Sequence, residues 1–385
     1  MALHIGVLRE TRPGEHRVAL TPDVVGKLVK AGHDVAIQAG AGLGAGWGDD
    51  AFQDAGASVG VDLGATMVGR NVLVKVNPPN DLELSHLAED AVVVAMLDPL
   101  NDQDGIQALA DKGVTAFAME LIPRISRAQS MDVLSSMATV AGYRAVLIAA
   151  ARLDKFFPML MTAAGTVAPA KVFVVGAGVA GLQAIATARR LGAVVSAYDT
   201  RAVVREQVES LGASFLDISV GADAEAAGGY ARELTEAEQR TQRELMADHV
   251  AGCDVVITTA LVPGRPAPVI IPTTTVERMR SGSVIVDLAS QNGGNCEVSE
   301  HGREVEHAGV HVLGPDNLPG GMPVHASQLY ARNVQNLLDL LVEDGELSLD
   351  RDDEVIVGTL ATRGGRIVNS MLRERWQLDT EVASS

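Results

Sequence analysis

The sequence predicts an α/β protein made of two Rossmann-like lobes of parallel β-sheet. Strand-like and helix-like stretches alternate along most of the 385 residues, which is the pattern of parallel α/β sheets. A glycine turn, GAGVAG, stands between the strand-like KVFVV and an alanine-rich helix. Two helical stretches, at 131–156 and 327–344, are long for one small lobe. We therefore expect them to cross between the lobes and link them.

The order of predicted elements divides the chain. Strands at 4–10, 33–38, 71–76, 91–96 and 114–119 alternate with helices such as 21–32, where Thr21 is the expected N-cap and Gly32 the stop. A second strand series begins at 171, and the tail after Asp350 holds two short strand-like pieces, VIVGT and RIVNS. The predicted first lobe is 1–137 plus 327–385, and the second is 138–326.

Composition excludes several classes of protein. The chain is 47% hydrophobic and 21% charged with a net charge of −18, which opposes binding to nucleic acid or anionic lipid. Its two cysteines, Cys253 and Cys296, have neither metal-ligand nor disulfide-framework spacing, which favours a reducing compartment. The N-terminus shows no export signal, and no stretch approaches the roughly 20 apolar residues of a membrane span.

The GAGVAG turn predicts a dinucleotide site. Gly176 permits the tight turn, Gly178 lets backbone approach a pyrophosphate, and Gly181 lets the helix pack on the sheet. Asp199 ends the next strand, 18 residues after Gly181, where its carboxylate can accept from the adenosine ribose and repel a 2′-phosphate. This favours NAD(H) over NADP(H), although the nearby Arg201 weakens the preference.

A second glycine-rich stretch, GAGLGAGWG at 40–48, competes for that role. Asp49 and Asp50 open the short helix that follows it, so carboxylates already occupy the positive helix end where a pyrophosphate would sit. We interpret this stretch as a structural turn.

Each of the other polar groups has both a functional and a structural interpretation. The stretch SQNGGN at 290–295 follows a strand end and is either part of a ligand site or a plain turn. Arg17 and Lys75 could clamp a carboxylate or form surface or interlobe ion pairs. The polar segment between Ile218 and Glu244 is either a lid, with Tyr230 at its tip, or a solvated excursion.

The segment PRISRAQSMDVLSS at 123–136 holds many hydrogen-bonding groups but no histidine, lysine or cysteine. Oxidation of an alcohol or amine requires a general acid–base residue. Transfer of hydride between two nicotinamide rings moves no proton at the reacting carbons and needs only placement of the rings. An Arg124–Asp132 pair with neutral amides and hydroxyls suits that task. A solvated network at a helix start, with Asp132 next to the helix dipole, is the alternative.

Several motifs give the chain a close resemblance to the alanine dehydrogenase and transhydrogenase family, over about residues 4–345. They are EHRVALTP, LVKVNPP, VVGAGVAG, YDTR, TTALVPGRPAP, VDLASQNGGNCE and SQLYARNVQNLL. Within that family, PRISRAQSMDVLSSMATVAGYRA, REQVESLGA and QNGGNCE resemble the NAD(H)-binding subunit of proton-translocating transhydrogenases.

The resemblance implies a two-lobe fold with the site in the cleft, a homodimer, and hydride exchange between NADH bound here and NADP⁺ on a partner component. It also implies a separate membrane-spanning component that couples the reaction to proton passage, and hence a cytoplasmic location on the inner face of the membrane. By matching motifs, the implied nicotinamide contacts are Arg124, Ile125, Ser126, Gln129, Asp132 and Ser135. The implied contacts of the remaining nucleotide are Val179, Asp199, Thr200, Arg201 and Leu261, with Gly229, Tyr230 and Gln242 on a mobile loop.

The sequence departs from the alanine dehydrogenases of this family at one position. The resemblance implies that the alanine dehydrogenases have a catalytic histidine just after the strand that matches AVVVAM. This chain has MLDPLND there, with Asp98 and no histidine. This difference weakens the hypothesis that the chain is an amino-acid dehydrogenase. That function remains an alternative, as does a non-catalytic NAD-sensing module.

Overall fold

A computed structural model of the chain describes residues 3–218, 236–262, 264–343, 346–348 and 352–378. The chain folds into two compact units, Met1–Met137 with Pro319–Ser385, and Ala138–Leu318. The sequence placed the second boundary at 326/327. In the structure the chain returns to the first unit at Pro319, before the long second helix begins, so that helix belongs wholly to the first unit.

The N-terminal part of the first unit alternates strands and helices as the sequence predicts. In chain order these are β1 His4–Val7, α1 Pro22–Lys30, β2 Asp34–Gln38, α2 Asp49–Asp54, β3 Ser58–Gly60, α3 Leu63–Met67, β4 Val72–Val74, α4 Asp81–Ser85, β5 Val92–Ala95, α5 Gln103–Asp111 and β6 Thr115–Ala118.

The second unit follows through α6 Val133–Arg152, in which the division between the units falls. Its further elements are β7 Leu160–Thr162, β8 Gly165–Val167, β9 Lys171–Val175, α7 Val179–Arg190, β10 Val194–Tyr198, α8 Arg205–Ser210, β11 Ser214–Phe215, α9 Glu236–Ala251, β12 Val255–Thr258, α10 Thr273–Val276, β13 Val284–Asp287, β14 Arg303–His307 and β15 Val310–Gly314.

The C-terminal part completes the first unit. It comprises α11 Pro323–Leu341, β16 Val342–Glu343, β17 Glu346–Leu347, α12 Glu354–Thr359, β18 Leu360–Arg363, β19 Arg366–Ile367 and α13 Ser370–Arg375.

Each unit is built on its own mostly parallel sheet. The first has the order β19-β18-β6-β5-β4-β1-β2-β3, in which β18 pairs antiparallel with both of its neighbours, β6 and β19. The second has the order β11-β10-β9-β12-β13-β15-β14, with β14 antiparallel. In both sheets the chain starts in the middle and reverses direction, at β1 and at β9. The predicted α/β class with two parallel-sheet lobes is confirmed, and each reversal is where such sheets bind ligands.

Small side chains build the core of the second unit, as 3% aromatic content requires. One face of its sheet packs Val172 and Val174 with the alanines of α6 and α7. Gly142 of α6 lies so close to α7 that a Cβ there would overlap the Ala180 carbonyl oxygen. Burial of each valine contributes roughly 1.5–3 kcal/mol, so this close packing compensates for the scarcity of aromatic rings.

One tail prediction is wrong. VIVGT, expected as a strand, lies in the helix α12. The Asp353 carboxylate accepts hydrogen bonds from the N–H groups of Val355 and Ile356 and so caps that helix. The β-branched composition favours a strand, but the cap and burial of Val355 and Ile356 override it.

One helix of the described ranges, Val133–Arg152, is long and apolar enough to cross a membrane by length and composition. From the sequence we expected no such stretch, because Arg144 interrupts it. Core helices of soluble proteins pass the same test, so the helix is a weak indication of a membrane span.

Candidate functional site

The three glycines of GAGVAG occupy three different local environments in the second unit. Gly176 has a φ of +95°, and a Cβ there would overlap the Thr259 hydroxyl. A Cβ on Gly181 would overlap the Gly176 carbonyl oxygen, so α7 packs against the turn at van der Waals limit. A Cβ on Gly178 would meet nothing within 4 Å. Two glycines are therefore required by the fold, whereas Gly178 faces open space at the N-terminus of α7.

Asp199 lies at the carboxyl end of β10, directly against this turn. Its Oδ2 accepts from the Ala177 N–H at 2.7 Å, and Arg201 donates to both of its oxygens at 3.0 Å. Burial raises the pKa of the Asp199 carboxyl, but the hydrogen bonds from Arg201 and Ala177 outweigh burial and hold it below its usual range. The carboxylate is thus ionised and fixed toward the glycine turn, and a ribose hydroxyl would share it with Arg201 or displace Arg201.

The other nucleotide contacts implied for this unit stand at neighbouring strand ends. Val179 is the first residue of α7 after β9, Thr200 and Arg201 follow β10, and Leu261 follows β12. Since β10, β9 and β12 are adjacent in the sheet, these residues share its carboxyl edge. Val179 and Leu261 are 43% and 51% exposed, large values for apolar side chains that leave them open to a ligand.

Of the predicted mobile loop, Gly229 and Tyr230 lie outside the described residues. Gln242 lies on α9, and its side-chain amide donates to the Tyr198 hydroxyl at 3.3 Å. That contact joins α9 to the end of β10, one residue before Asp199.

The stretch SQNGGN works mainly as a turn that holds two loops together. Gly293 and Gly294 both have positive φ values, 99° and 84°. Asn295 is fully buried, and its side chain bonds the backbone of Ala260 in both directions, at 2.9 and 2.8 Å. Asn295 was not predicted from the sequence as a positioning residue; its place one residue after a glycine pair was the available signal.

The segment 124–135 of the first unit presents an exposed polar face. A 3₁₀ helix spans Ser126–Met131, and Arg124, Ser126 and Gln129 are all exposed. The side chains of Arg124 and Gln129 form no hydrogen bond or ion pair with any described residue. Ile125 is half-buried beside them. Free donors and acceptors of this kind suit a ligand amide.

Asp132 does not form the expected ion pair with Arg124. Its Oδ1 accepts from the Ser135 N–H at 2.9 Å, and its Oδ2 accepts from the Ser135 hydroxyl at 2.6 Å. The carboxylate therefore caps the N-terminus of α6, where the helix dipole stabilises its negative charge. Asp132 and Ser135 act as one unit at the start of that helix, in agreement with the helix-start alternative.

The opposite face of the segment is anchored within the first unit. Ala128 and Met131 are buried, and the Ser130 carbonyl oxygen accepts from the side-chain amides of Asn333 and Asn336 on α11, at 2.8 and 3.0 Å. These contacts fix the backbone that carries Gln129.

Arg17 and Lys75 form internal ion pairs. Arg17 donates to both carboxylate oxygens of Glu15, at 2.7 and 2.5 Å, and Lys75 donates to both oxygens of Glu83, at 2.6 and 2.7 Å. Burial raises the pKa of the Glu15 carboxyl, but the hydrogen bonds and the charge of Arg17 outweigh burial and lower that pKa to about 2. Because both cations are buried and neutralised, neither is free to clamp a substrate carboxylate.

Asp98, which comes just after the stretch AVVVAM, has a left-handed backbone with a φ of 48°. Its carboxylate accepts from the Asn101 amide at 2.7 Å, and its N–H donates to Glu120 at 2.8 Å. Burial raises the pKa of Glu120 to about 7, although the N–H groups of Asp98 and Leu97 oppose that rise.

Comparison with known families agrees with this fold. Residues 6–141 match the N-terminal domain, and residues 145–370 match the C-terminal domain, of alanine dehydrogenase/PNT. The chain belongs to the alanine dehydrogenase/PNT family, and the predicted family resemblance is confirmed.

Sequence identity separates the two branches of that family. An NAD(P) transhydrogenase subunit alpha chain of Rhodospirillum rubrum is 46% identical over 96% of this chain and 99% of its own. The crystal structure of a transhydrogenase from Sinorhizobium meliloti is 45% identical with a TM-score of 0.84, covering 95% of this chain and 99% of that one. An L-alanine dehydrogenase structure is 29% identical with a TM-score of 0.83, covering 97% and 99%. The fold is common to both branches, while the sequence is more similar to the transhydrogenase subunits.

Proposed function

We propose that the chain is the NAD(H)-binding subunit of a proton-translocating NAD(P) transhydrogenase. Hydride passes directly between NAD(H) bound to this chain and NADP(H) held by a partner component, and the enzyme is active only in that assembly. The observation that carries the proposal is the exposed polar face of Arg124, Ser126 and Gln129. The side chains of Arg124 and Gln129 have no partner among the described residues, in a segment with no histidine, lysine or cysteine. Identity to transhydrogenase subunits supports it.

NAD(H) has a suitable binding edge on the second unit. Gly178 leaves space for a pyrophosphate at the N-terminus of α7, where helix N–H groups favour an anion. Asp199, ionised and held against the glycine turn, accepts from the adenosine ribose. Val179, Thr200, Arg201 and Leu261 line the same edge, and Gln242, Gly229 and Tyr230 belong to the covering loop of the proposal.

The polar face of the first unit orients the nicotinamide. Bound nicotinamide supplies the hydride donor or acceptor at its C4 carbon. Arg124, Ile125 and Ser126 hold the carboxamide, and Gln129 reaches toward the incoming NADP(H). Asp132 and Ser135 serve by fixing the start of α6 next to this face. Rings held about 3–3.5 Å apart need no acid or base, so alignment is the main catalytic contribution.

The proposal includes the partners that the family resemblance implies. They are a second copy of this chain in a homodimer, an NADP(H)-binding component and a separate membrane-spanning component that couples hydride transfer to proton translocation. The chain then lies at the inner face of the cytoplasmic membrane, attached through those components. Its net charge of −18 opposes direct binding to anionic lipid and to nucleic acid.

The two alternatives lack a supporting observation. An alanine dehydrogenase needs a free carboxylate clamp, and here Glu15 neutralises Arg17 while Glu83 neutralises Lys75. A non-catalytic NAD-sensing module has no use for the unpartnered side chains of Arg124 and Gln129.

A reconstitution assay tests the proposal. The isolated protein should bind NADH but not oxidise it when pyruvate and ammonium are added. Mixed with a purified NADP(H)-binding component, it should reduce an NAD analogue cyclically. Robust NADH oxidation by the isolated protein with pyruvate and ammonium would contradict the proposal, as would a stoichiometric mixture without transfer.

A further inference from the structure

A cavity of about 250 Å³ opens in the first unit at the N-terminus of α1, and none of its lining residues is among those assigned to the proposed site. It is lined by Thr21, Pro22, Asp23, Trp47, Gln328 and Arg332. Thr21 and Trp47 follow β1 and β2 along the chain, so the cavity lies at the carboxyl edge of the first sheet. Trp47 belongs to GAGLGAGWG, the glycine stretch that has no part in the proposed NAD(H) site.

The helix end at this cavity is left open by its own cap residue. Thr21 has the extended backbone of an N-cap, but its side chain makes no capping bond. It is 3% exposed, lines the cavity, and its hydroxyl has no hydrogen-bond partner in the described part of the chain. The first intrahelical bond is Val25 N–H to Thr21 carbonyl, which leaves the N–H groups of Asp23 and Val24 without an acceptor among the described residues.

The charges around the cavity favour a negative group. Asp23 is neutralised by Lys27, whose Nζ lies 2.8 Å from Asp23 Oδ2. Arg332 forms no ion pair with any residue the structure describes, although its charge acts on Asp23. The positive end of α1 and the Arg332 guanidinium therefore face the same space.

We infer that this cavity binds a small oxyanion, a phosphate or carboxylate group, through Arg332, the Thr21 hydroxyl and the open N–H groups of α1. The Gln328 amide supplies a further donor, and the Trp47 ring covers the apolar part of the ligand. A helix N-terminus with a nearby arginine is a favourable anion site even in a protein of net negative charge. The inference goes beyond the proposed function and does not depend on it.

Trp47 provides the readout, because the chain has only one other tryptophan, Trp376. In the full-length Trp376→Phe protein, Trp47 fluorescence is followed during titration with inorganic phosphate at constant ionic strength, and separately with acetate. We expect a saturable change with at least one of the two. Saturation by phosphate alone assigns a phosphate ligand, and saturation by acetate alone assigns a carboxylate.

Variants in the same background test the assignment. Arg332→Gln and Thr21→Val should each weaken binding, Arg332→Gln by about tenfold or more because it removes a charge-assisted bond. Arg366→Gln, at an exposed arginine of β19, is the matched control and should bind as before. NADH affinity should stay within about twofold in all three variants. The inference is overturned if neither anion saturates, if Arg366→Gln weakens binding as much as Arg332→Gln, or if Arg332→Gln also weakens NADH binding.

Discussion

Arg127 donates two hydrogen bonds to Asp353, from Nη1 to Oδ2 at 2.9 Å and from Nη2 to Oδ1 at 2.8 Å. Asp353 also caps α12 through the N–H groups of Val355 and Ile356. One carboxylate therefore connects a C-terminal helix to the 3₁₀ helix that carries Gln129. This pairing places Arg127 on the anchoring side of the segment.

Loss of that carboxylate should loosen the segment. We expect Asp353→Ala to lower the free energy of unfolding by about 1 kcal/mol, because it removes an N-cap. Hydride transfer in the reconstituted assembly should fall while NADH affinity changes little, since the nucleotide edge lies on other residues. Urea unfolding and transfer rates measure the two effects. Arg127→Gln keeps the cap and should lower transfer with a smaller loss of stability; an equal loss of stability in both variants would contradict this division of roles.

Arg124 should matter for catalysis and not for folding. Its side chain has no partner in the described structure, so Arg124→Ala should leave the unfolding midpoint unchanged. Loss of a charge-assisted bond to the carboxamide should slow transfer by about 10- to 100-fold. Arg366→Ala is the matched exposed control and should change neither the unfolding midpoint nor the transfer rate. Wild-type transfer rates in Arg124→Ala would remove this residue from the nicotinamide site.

The glycine turn offers a paired test of binding against stability. Gly178→Ala adds a Cβ in open space, so unfolding should be unaffected while NADH binding weakens through contact with the pyrophosphate. Gly181→Ala drives a Cβ into the Gly176 carbonyl oxygen and should cost about 1–3 kcal/mol or more in stability. Calorimetry for NADH and urea unfolding separate the two. Unchanged NADH affinity in Gly178→Ala would place the pyrophosphate elsewhere.

Glu120 should give a pH-dependent stability of unusual sign for a carboxyl. Its folded pKa of about 7 lies above the ordinary 4.5, so the unfolded chain loses its proton first as pH rises. Glu120 therefore destabilises the fold progressively from about pH 4.5 to 7. Relative to wild type, Glu120→Gln should gain roughly 2 kcal/mol between pH 5 and pH 8. Urea unfolding of both proteins at the two pH values measures this, and an unchanged difference would show that Glu120 ionises normally.

The sequence predicted the features that depend on local pattern. The strand–glycine–helix order and spacing predicted the turn at Gly176, Gly178 and Gly181 and the position of Asp199, because each follows from backbone geometry between adjacent elements. The helix VIVGT was predicted wrongly because its cap, Asp353, decides the conformation of a β-branched stretch. The Arg124–Asp132 pair was expected from proximity in sequence, but the start of α6 takes the carboxylate instead.

The choice of side-chain partners lay beyond the pattern, even for residues close together in the sequence. The sequence allows Arg17 and Lys75 to form either a clamp or ion pairs, and their contacts with Glu15 and Glu83 make them ion pairs. Likewise, Thr21 was predicted correctly as the N-cap position, but its missing capping bond is visible only in three dimensions. The roles of these residues depend on which side chains they contact in the folded protein.

The central claim is that aligned nicotinamide rings exchange hydride here without a titrating side chain. Isotope transfer tests this claim most directly. NADH carrying deuterium at C4 is bound to this protein, mixed with the NADP⁺-loaded partner component, and followed through a single turnover at pH 6, 7, 8 and 9. We predict that the deuterium is recovered in NADPH, with none lost to water, at a rate that does not depend on pH. Deuterium released to solvent, or a rate that follows the titration of one group, would contradict the claim.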